Sequence, residues 1–272
     1  EVITDNNFEE NIQILPMRST DLVMEEDGAL FDIVISELLD SALLGESCIL
    51  SHADALRRLV SKNDNIPPNQ KVLPHSAELW GCLIESEEVD ALHFVNNRNF
   101  MFGHENRGGT PWRDADAADC RGGWPLLPLH YSTFKERNEP HGKSRELSDQ
   151  IKLMSFEFFH GSEKEIEQTC TEFFEGDMEM KCDGKVSGLL MYWKLFLLDP
   201  ELDPDREVMY CTKADTQNYQ DHWVQVVYPF PSIIDGSIHD KIHVQAFHDN
   251  IQIWFRAFRV EVSGYSLQNY CL

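Results

Sequence analysis

Ser36-Glu37-Leu38-Leu39-Asp40-Ser41-Ala42-Leu43-Leu44-Gly45-Glu46 sets two glutamates nine positions apart around a mostly apolar loop that holds one aspartate. Apolar flanks remove water from a carboxylate and raise its pKa unless a fixed cation compensates. A guanidinium is such a cation, because its planar fork pairs with carboxylates on different sides and is oriented by them as well as neutralised. Stripping a proton at pH 7 from a group of pKa about 13 costs roughly 8 kcal/mol, so carboxylates that meet a guanidinium serve better as orienting groups than as bases. A reaction at one guanidinium nitrogen then draws on near-attack placement and fixed charge, and the proton leaves afterwards. Taken without context, Glu37 and Glu46 also read as solvated loop acids.

The elements around the loop are those that carry ligand sites in open α/β folds. Asn11 to Leu15 reads as a short strand, and Leu30 to Ser36 as a strand apolar enough to lie centrally in a covered sheet. After Ser51, a predicted N-cap, Ala55, Leu56, Leu59 and Val60 fall at helical spacing, with Arg57, Arg58 and Lys62 on the other face or near the C-terminus. Strand, loop and helix follow in that order, which puts Glu37 to Glu46 at the carboxyl end of a strand, where ligands bind.

Asn63 to Asn69 is dense in breakers and marks a boundary. Beyond it, β-type runs dominate: Val72 to Ile84, Gly188 to Leu198, His222 to Tyr228, and Ile242 to Val262. Asp249-Asn250 splits the last into a hairpin in which Ile251, Ile253 and Phe255 alternate toward one face. Gly103 to Gly123 and Lys135 to Ser148 read as long polar loops or an insertion. The fold class is therefore α/β plus β, an α/β remnant followed by a β-rich domain.

Composition narrows the function. A formal net charge of −24 argues against general nucleic-acid binding and suits a cationic substrate or partner. The seven cysteines include no CxxC pair, so a zinc centre lacks its usual ligand spacing, no metal is expected, and a reduced intracellular setting fits. Apolar runs fall short of the roughly 18 residues that span a bilayer, and Glu1 to Asp5 is too polar for a signal peptide, so no membrane role is expected.

The loop resembles the double-E loop of the protein arginine methyltransferases, where a Ser-Glu at a strand end is followed by a second Glu at the same separation. Asn11 to Leu22 is similar to that family's strand and turn beside the adenine of the methyl donor. Asp221-His222-Trp223 resembles its Thr-His-Trp loop, with Asp in place of Thr. The Glu-x-x-Asp-x-x-Leu-x-Gly-Glu form of the loop points to the tandem-module, monomethylating (type III) branch.

The resemblance implies a Rossmann-like methyltransferase remnant at 1–72 and a β-barrel-like substrate domain at 73–272, with an insertion or dimerisation arm around 100–170. It implies S-adenosylmethionine as methyl donor. Glu37 and Glu46 would be the catalytic pair. Asp40, which narrows the pocket toward a single methyl addition, would join His222 and Trp223 in substrate binding, and Arg18, Ser19, Thr20 and Glu37 would line the donor. Tyr228 is assigned to packing. Outside the resemblance, His222 reads as a core histidine on a strand and Trp223 as an ordinary core aromatic.

Implied partners are arginine-rich basic proteins such as histones or RNA-binding proteins, met in the cytoplasm and nucleus. The family's Gly-rich strand-to-helix turn and its ribose-binding acid are missing, since Arg107-Gly108-Gly109 and Arg121-Gly122-Gly123 have no preceding strand. The chain alone is thus expected to be inactive, with the missing N-terminal half or a second methyltransferase module as its partner. A non-catalytic binding or scaffolding module derived from the family is the alternative, and an acid/base hydrolase is the weakest reading.

Overall fold

The computed structural model describes residues 2–23, 31–61, 66–87, 89–90, 129–130, 144–159, 170–199, 202, 205, 208–213 and 222–260. Asp221, the segment 103–123 and most of the 100–170 insertion lie outside the described residues.

The chain opens with a single helical turn, α1 (Val2–Asp5), and a 3-10 turn at Ser19–Asp21. Strand β1 (Val34–Ile35) then leads through the acidic loop into helix α2 (Cys48–Arg58), and β2 (Val72–Leu73) follows. From there the described elements are strands: β3 (Ser76–Ser86), β4 (Leu129–His130), β5 (Ser144–Glu146), β6 (Ile151–Glu157), β7 (Cys170–Phe173), β8 (Glu175–Glu179), β9 (Gly184–Phe196), β10 (Val208–Cys211), β11 (Val226–Gly236), β12 (Lys241–His248) and β13 (Ile253–Arg259).

The larger sheet runs β4-β11-β9-β3-β6-β7, with β10 also on β9 and β5 also on β3, and every pairing in it is antiparallel. A second antiparallel sheet has the order β13-β12-β8. A Ser148–Met180 bridge joins them, and Phe174 donates its N–H to Leu153 O at 2.6 Å while accepting from Ala246 N at 3.0 Å. The fold is thus mostly sheet, antiparallel and partly curled.

Long strands form where apolar and β-branched residues alternate or run together. Along β3, Ala77, Leu79 and Leu83 enter the main core; β9 sends Leu189, Met191, Trp193 and Leu195 to the same side. Cys82, Ile84, Leu190 and Val227 form a second buried cluster with Val89. The main cluster is continuous with Leu39, Leu43, Leu44, Cys48, Ile49 and Val72, so the acidic loop and α2 are packed directly onto the sheet.

Several expectations need correction. Asn11 to Leu15 forms no strand, pairs with no described segment, and its apolar side chains are exposed. Within Leu30 to Ser36 (Leu30 lies outside the described residues), only Val34–Ile35 is a strand. Among the described residues it pairs with β2 alone, in parallel, and Ile35 is 76% exposed. An apolar run fixes the taste for burial but not the neighbours that supply it.

The predicted cap Ser51 lies inside α2 and donates its N–H to Ser47 O; the N-cap is Ser47, held at a left-handed φ of 61°. Val72 to Ile84 is split at Pro74, which has no N–H to give a ladder. The run starting at His222 becomes strand only at Val226. Ser144–Glu146, read as loop, pairs with the end of β3 and leads into buried Leu147 and Ser148. In the β12–β13 hairpin, Ile251 is exposed in the connection, whereas Ile253 and Phe255 are buried as expected.

Candidate active-site loop

Residues 37–47 are a loop whose apolar side chains are anchors. Leu39, Leu43 and Leu44 are fully buried, and Leu38 is half-buried. Driving those leucines into the core leaves Glu37 and Glu46 exposed at the two ends. The apolar flanks were expected to desolvate the carboxylates; burial went to the leucines instead.

Inside the loop, Leu43 N–H donates to Asp40 O at 2.9 Å, closing a turn in which Leu43 takes a φ of 78°. Asp40 is half-buried and its Oδ1 accepts from Gly45 N–H at 3.1 Å. A Cβ at Gly45 would stand 2.1 Å from Asp40 Oδ2, so only glycine lets the carboxylate lie there. Cys48 is buried behind the loop, 3.8 Å from Leu43 O. Burial, reinforced by the negative charge of Asp40 and Glu46, pushes its thiol up to about 12, which makes it inert as a nucleophile.

Two indoles hold the loop against the sheet. Trp223 donates its Nε1–H to Leu39 O at 3.0 Å, and Trp193, fully buried on β9, donates to Ser41 O at 3.2 Å. Val224 N–H donates to Ser41 Oγ at 3.3 Å. Tyr210 closes the cluster: its hydroxyl donates to Trp223 O at 3.3 Å and accepts from Trp223 N–H at 3.2 Å. The rings of Trp193, Tyr210 and Trp223 pack at centroid distances of 4.9–5.4 Å.

His222 is exposed in a turn, not on a strand, and packs edge-on against Trp223 at 4.7 Å. Tyr228 is buried against Phe255, the packing role expected of it. Of the predicted residues, Asp40 lies in the loop, Trp223 is bonded to the carbonyl of its neighbour Leu39, and His222 packs on Trp223.

Arg18, Ser19 and Thr20 are exposed. The 3-10 turn is tied to α2 by Arg58, whose Nη1 and Nη2 donate to Leu22 O and Ser19 O, both at 2.9 Å, and whose guanidinium also pairs with Asp54. That pairing holds the Asp54 carboxyl below its ordinary range.

Sequence reasoning missed Trp193, Tyr210 and Ser41, along with a pairing of half-buried Ser36 with buried His52 at the loop's base. There, Ser36 Oγ shares a hydrogen bond with His52 Nε2. The signal available for Trp193 was a tryptophan amid a β-type run, whose N–H must find an acceptor when buried.

Among the described residues no group of three His, Cys, Asp or Glu side chains is placed to hold a metal, and no helix is long and apolar enough to cross a membrane.

An antiparallel sheet clamping an acidic loop between a short parallel strand and a helix resembles, in sequence and in fold, the protein arginine N-methyltransferases. The curated relatives it matches include several proteins named protein arginine N-methyltransferase 7. The Caenorhabditis briggsae protein arginine N-methyltransferase 7 is 25% identical over 268 residues, covering 97% of this chain and 36% of that protein. The one from Oryza sativa subsp. japonica is 26% identical over 244 residues, covering 84% and 30%. The chain thus spans about a third of the length of these relatives. No protein-family profile matches it.

Solved structures agree on the fold. The Trypanosoma brucei PRMT1 enzyme–prozyme heterotetrameric complex with AdoHcy superposes with a TM-score of 0.56 at 17% identity, over 96% of this chain and 77% of that one. Arabidopsis thaliana protein arginine methyltransferase 10 gives 0.58 at 14% identity, over 97% and 74%.

For a sulfonium methyl donor, the described residues do not make a complete site. Between β1 and α2 the one glycine is Gly45, which is occupied with Asp40, and the exposed hydroxyls of Ser19 and Thr20 form no enclosed cradle.

Proposed function

We propose that this chain supplies the arginine-gripping part of an S-adenosylmethionine-dependent protein arginine N-methyltransferase. In this reading 1–72 belongs to a Rossmann-like methyltransferase domain and 73–272 to a β-barrel-like substrate domain. The supporting observation is the loop itself. Its backbone is pinned by Trp223 and Trp193 while Glu37 and Glu46 stay exposed at its ends, which is how two carboxylates are presented to a ligand rather than to the core.

Each carboxylate accepts N–H groups of a substrate guanidinium, and holding both sides of the fork leaves one terminal nitrogen aimed outward. The low acidity of the guanidinium makes orientation their main task, with the proton leaving after the nitrogen has been alkylated. Asp40 adds a third negative charge to the loop, favours arginines among basic neighbours, and narrows the space toward one methyl. Trp223 and His222 wall the arginine. Arg18, Ser19 and Thr20 lie beside the donor with Glu37, and the rest of the donor site comes from outside this chain, from a preceding half or a second module. The chain alone therefore transfers no methyl.

The test uses the natural polypeptide that carries this chain, with labelled S-adenosylmethionine and an Arg-rich peptide. Glu37→Gln and Glu46→Gln keep shape and remove charge, and each should lower transfer at least about a hundredfold. Wild-type turnover by both variants would refute the assignment, and dimethylarginine as product would refute the role given to Asp40. A second reading, a non-catalytic scaffolding module, is favoured by the exposed apolar side chains of Phe8, Ile14, Met17, Val23 and Ile35. It requires that the natural polypeptide bind no donor.

A further inference from the structure

We propose that the Ser36–His52 hydrogen bond is a strut that fixes the two ends of the acidic loop relative to each other, making both residues positioning residues for Glu37 and Glu46. The inference rests on the reading of those glutamates as the arginine grip.

Ser36 is the residue immediately before Glu37, and its N–H donates to Leu73 O at 3.0 Å, which ties it to β2. His52 stands in the second turn of α2, the helix that begins just after Glu46. Their shared hydrogen bond therefore spans the mouth of the loop, from the strand that delivers one glutamate to the helix that follows the other. The indole clamps grip the loop at Leu39 and Ser41, inside its first half, and leave the separation of its ends to this pair.

The imidazole is not there as filler. His52 is 1% exposed, packs its ring against Phe158 at 5.5 Å, and leaves Nδ1 without a hydrogen-bond partner. A leucine would fill such a position without an orphaned polar atom, which is ordinarily disfavoured in a protein interior. Burial also lowers the ring's pKa to about 4, so it is neutral across the physiological range and the bond to Ser36 persists there. A neutral strut adds no charge beside a site meant to hold a cation.

The test compares Ser36→Ala, Ser36→Thr and His52→Leu in the full chain by amide hydrogen exchange read by mass spectrometry. Ser36→Ala should speed exchange of 37–47 about tenfold, the loss of one hydrogen bond, with β9 and β11 unchanged. Ser36→Thr, which keeps the hydroxyl, should restore the wild-type rate. Unchanged exchange in 37–47, or an equal rise throughout β9 and β11, overturns the strut. If His52→Leu does not fold, the Ser36 pair still decides.

In the natural polypeptide, Ser36→Ala should lower kcat on an Arg peptide about tenfold and be rescued by Ser36→Thr. Full activity with a loosened loop overturns the positioning role. A wild type that transfers no methyl at all refutes the proposed function instead, and the exchange comparison then still decides whether the strut exists.

Discussion

Acidification should weaken this fold through His52 in a way one substitution can isolate. The ring is buried neutral, and burial alone lowers its pKa from 6.5 to about 4. Above pH 6.5 the ring is neutral in folded and unfolded chains alike, so it contributes no pH dependence. As pH falls from 6.5 toward 4, the unfolded chain takes up a proton that the folded chain refuses, and stability declines; below 4 both forms bind it and the decline stops. A gap of that size corresponds to about 3 kcal/mol, of which about 2.5 kcal/mol is gone by pH 4.5.

His52→Phe keeps a ring against Phe158 and cannot titrate. Urea unfolding of both proteins at pH 7 and pH 4.5 gives four free energies, and the carboxylates common to both cancel in the double difference. The wild type should lose about 2.5 kcal/mol more than the variant over that interval. Equal losses, or a histidine NMR titration placing His52 near 6.5, would show that the ring is not held dry and that the geometry at the loop's base is wrong.

Trp223→Phe removes the donor to Leu39 O and should cost about 1–2 kcal/mol in urea unfolding, with faster amide exchange confined to 38–47. Gly45→Ala forces the Asp40 carboxylate aside and should lower stability by about 1–3 kcal/mol in the same assay, since the added Cβ overlaps Asp40 Oδ2. Arg58→Met frees the carbonyls of Ser19 and Leu22 and should raise exchange at 18–22; NMR titration should show the Asp54 carboxyl returning upward toward its ordinary range. Cys48 and Cys82, whose thiols burial raises far above their usual range, should resist iodoacetamide in the folded chain, while half-exposed Cys182 is alkylated before Cys48, Cys82 and Cys211, as read by peptide mass spectrometry.

The β-rich part was legible because strand signals are local: the alternation in Ile242 to Val262 and the apolar run from Gly188 needed no knowledge of partners. The acidic loop was legible as a segment between a strand and a helix, and that placement holds. Its support was not, because Trp193 and Trp223 reach it from 152 and 184 residues away along the chain. The Ser36–His52 pair was hidden for a related reason. Sixteen residues separate its members, and helical periodicity places His52 on the packed face of α2 without saying that a hydroxyl waits there. The strand expected at Asn11 to Leu15 failed in the opposite direction: the residues have strand character but pair with no described strand.

The uncovered apolar stretch at the start of the chain also bears on how copies of it behave together. Ile14, Val23 and Ile35 are 69%, 86% and 76% exposed, and among the described residues β1 pairs on one side only. Such a surface invites self-association. A net charge of −24 opposes it, since copies repel before their apolar faces meet. The balance is one of colloid chemistry: Debye screening at about 0.15 M salt already shrinks the repulsion to roughly 8 Å, leaving the contact-range attraction intact. Raising ionic strength therefore shifts this chain from dispersed toward self-associated.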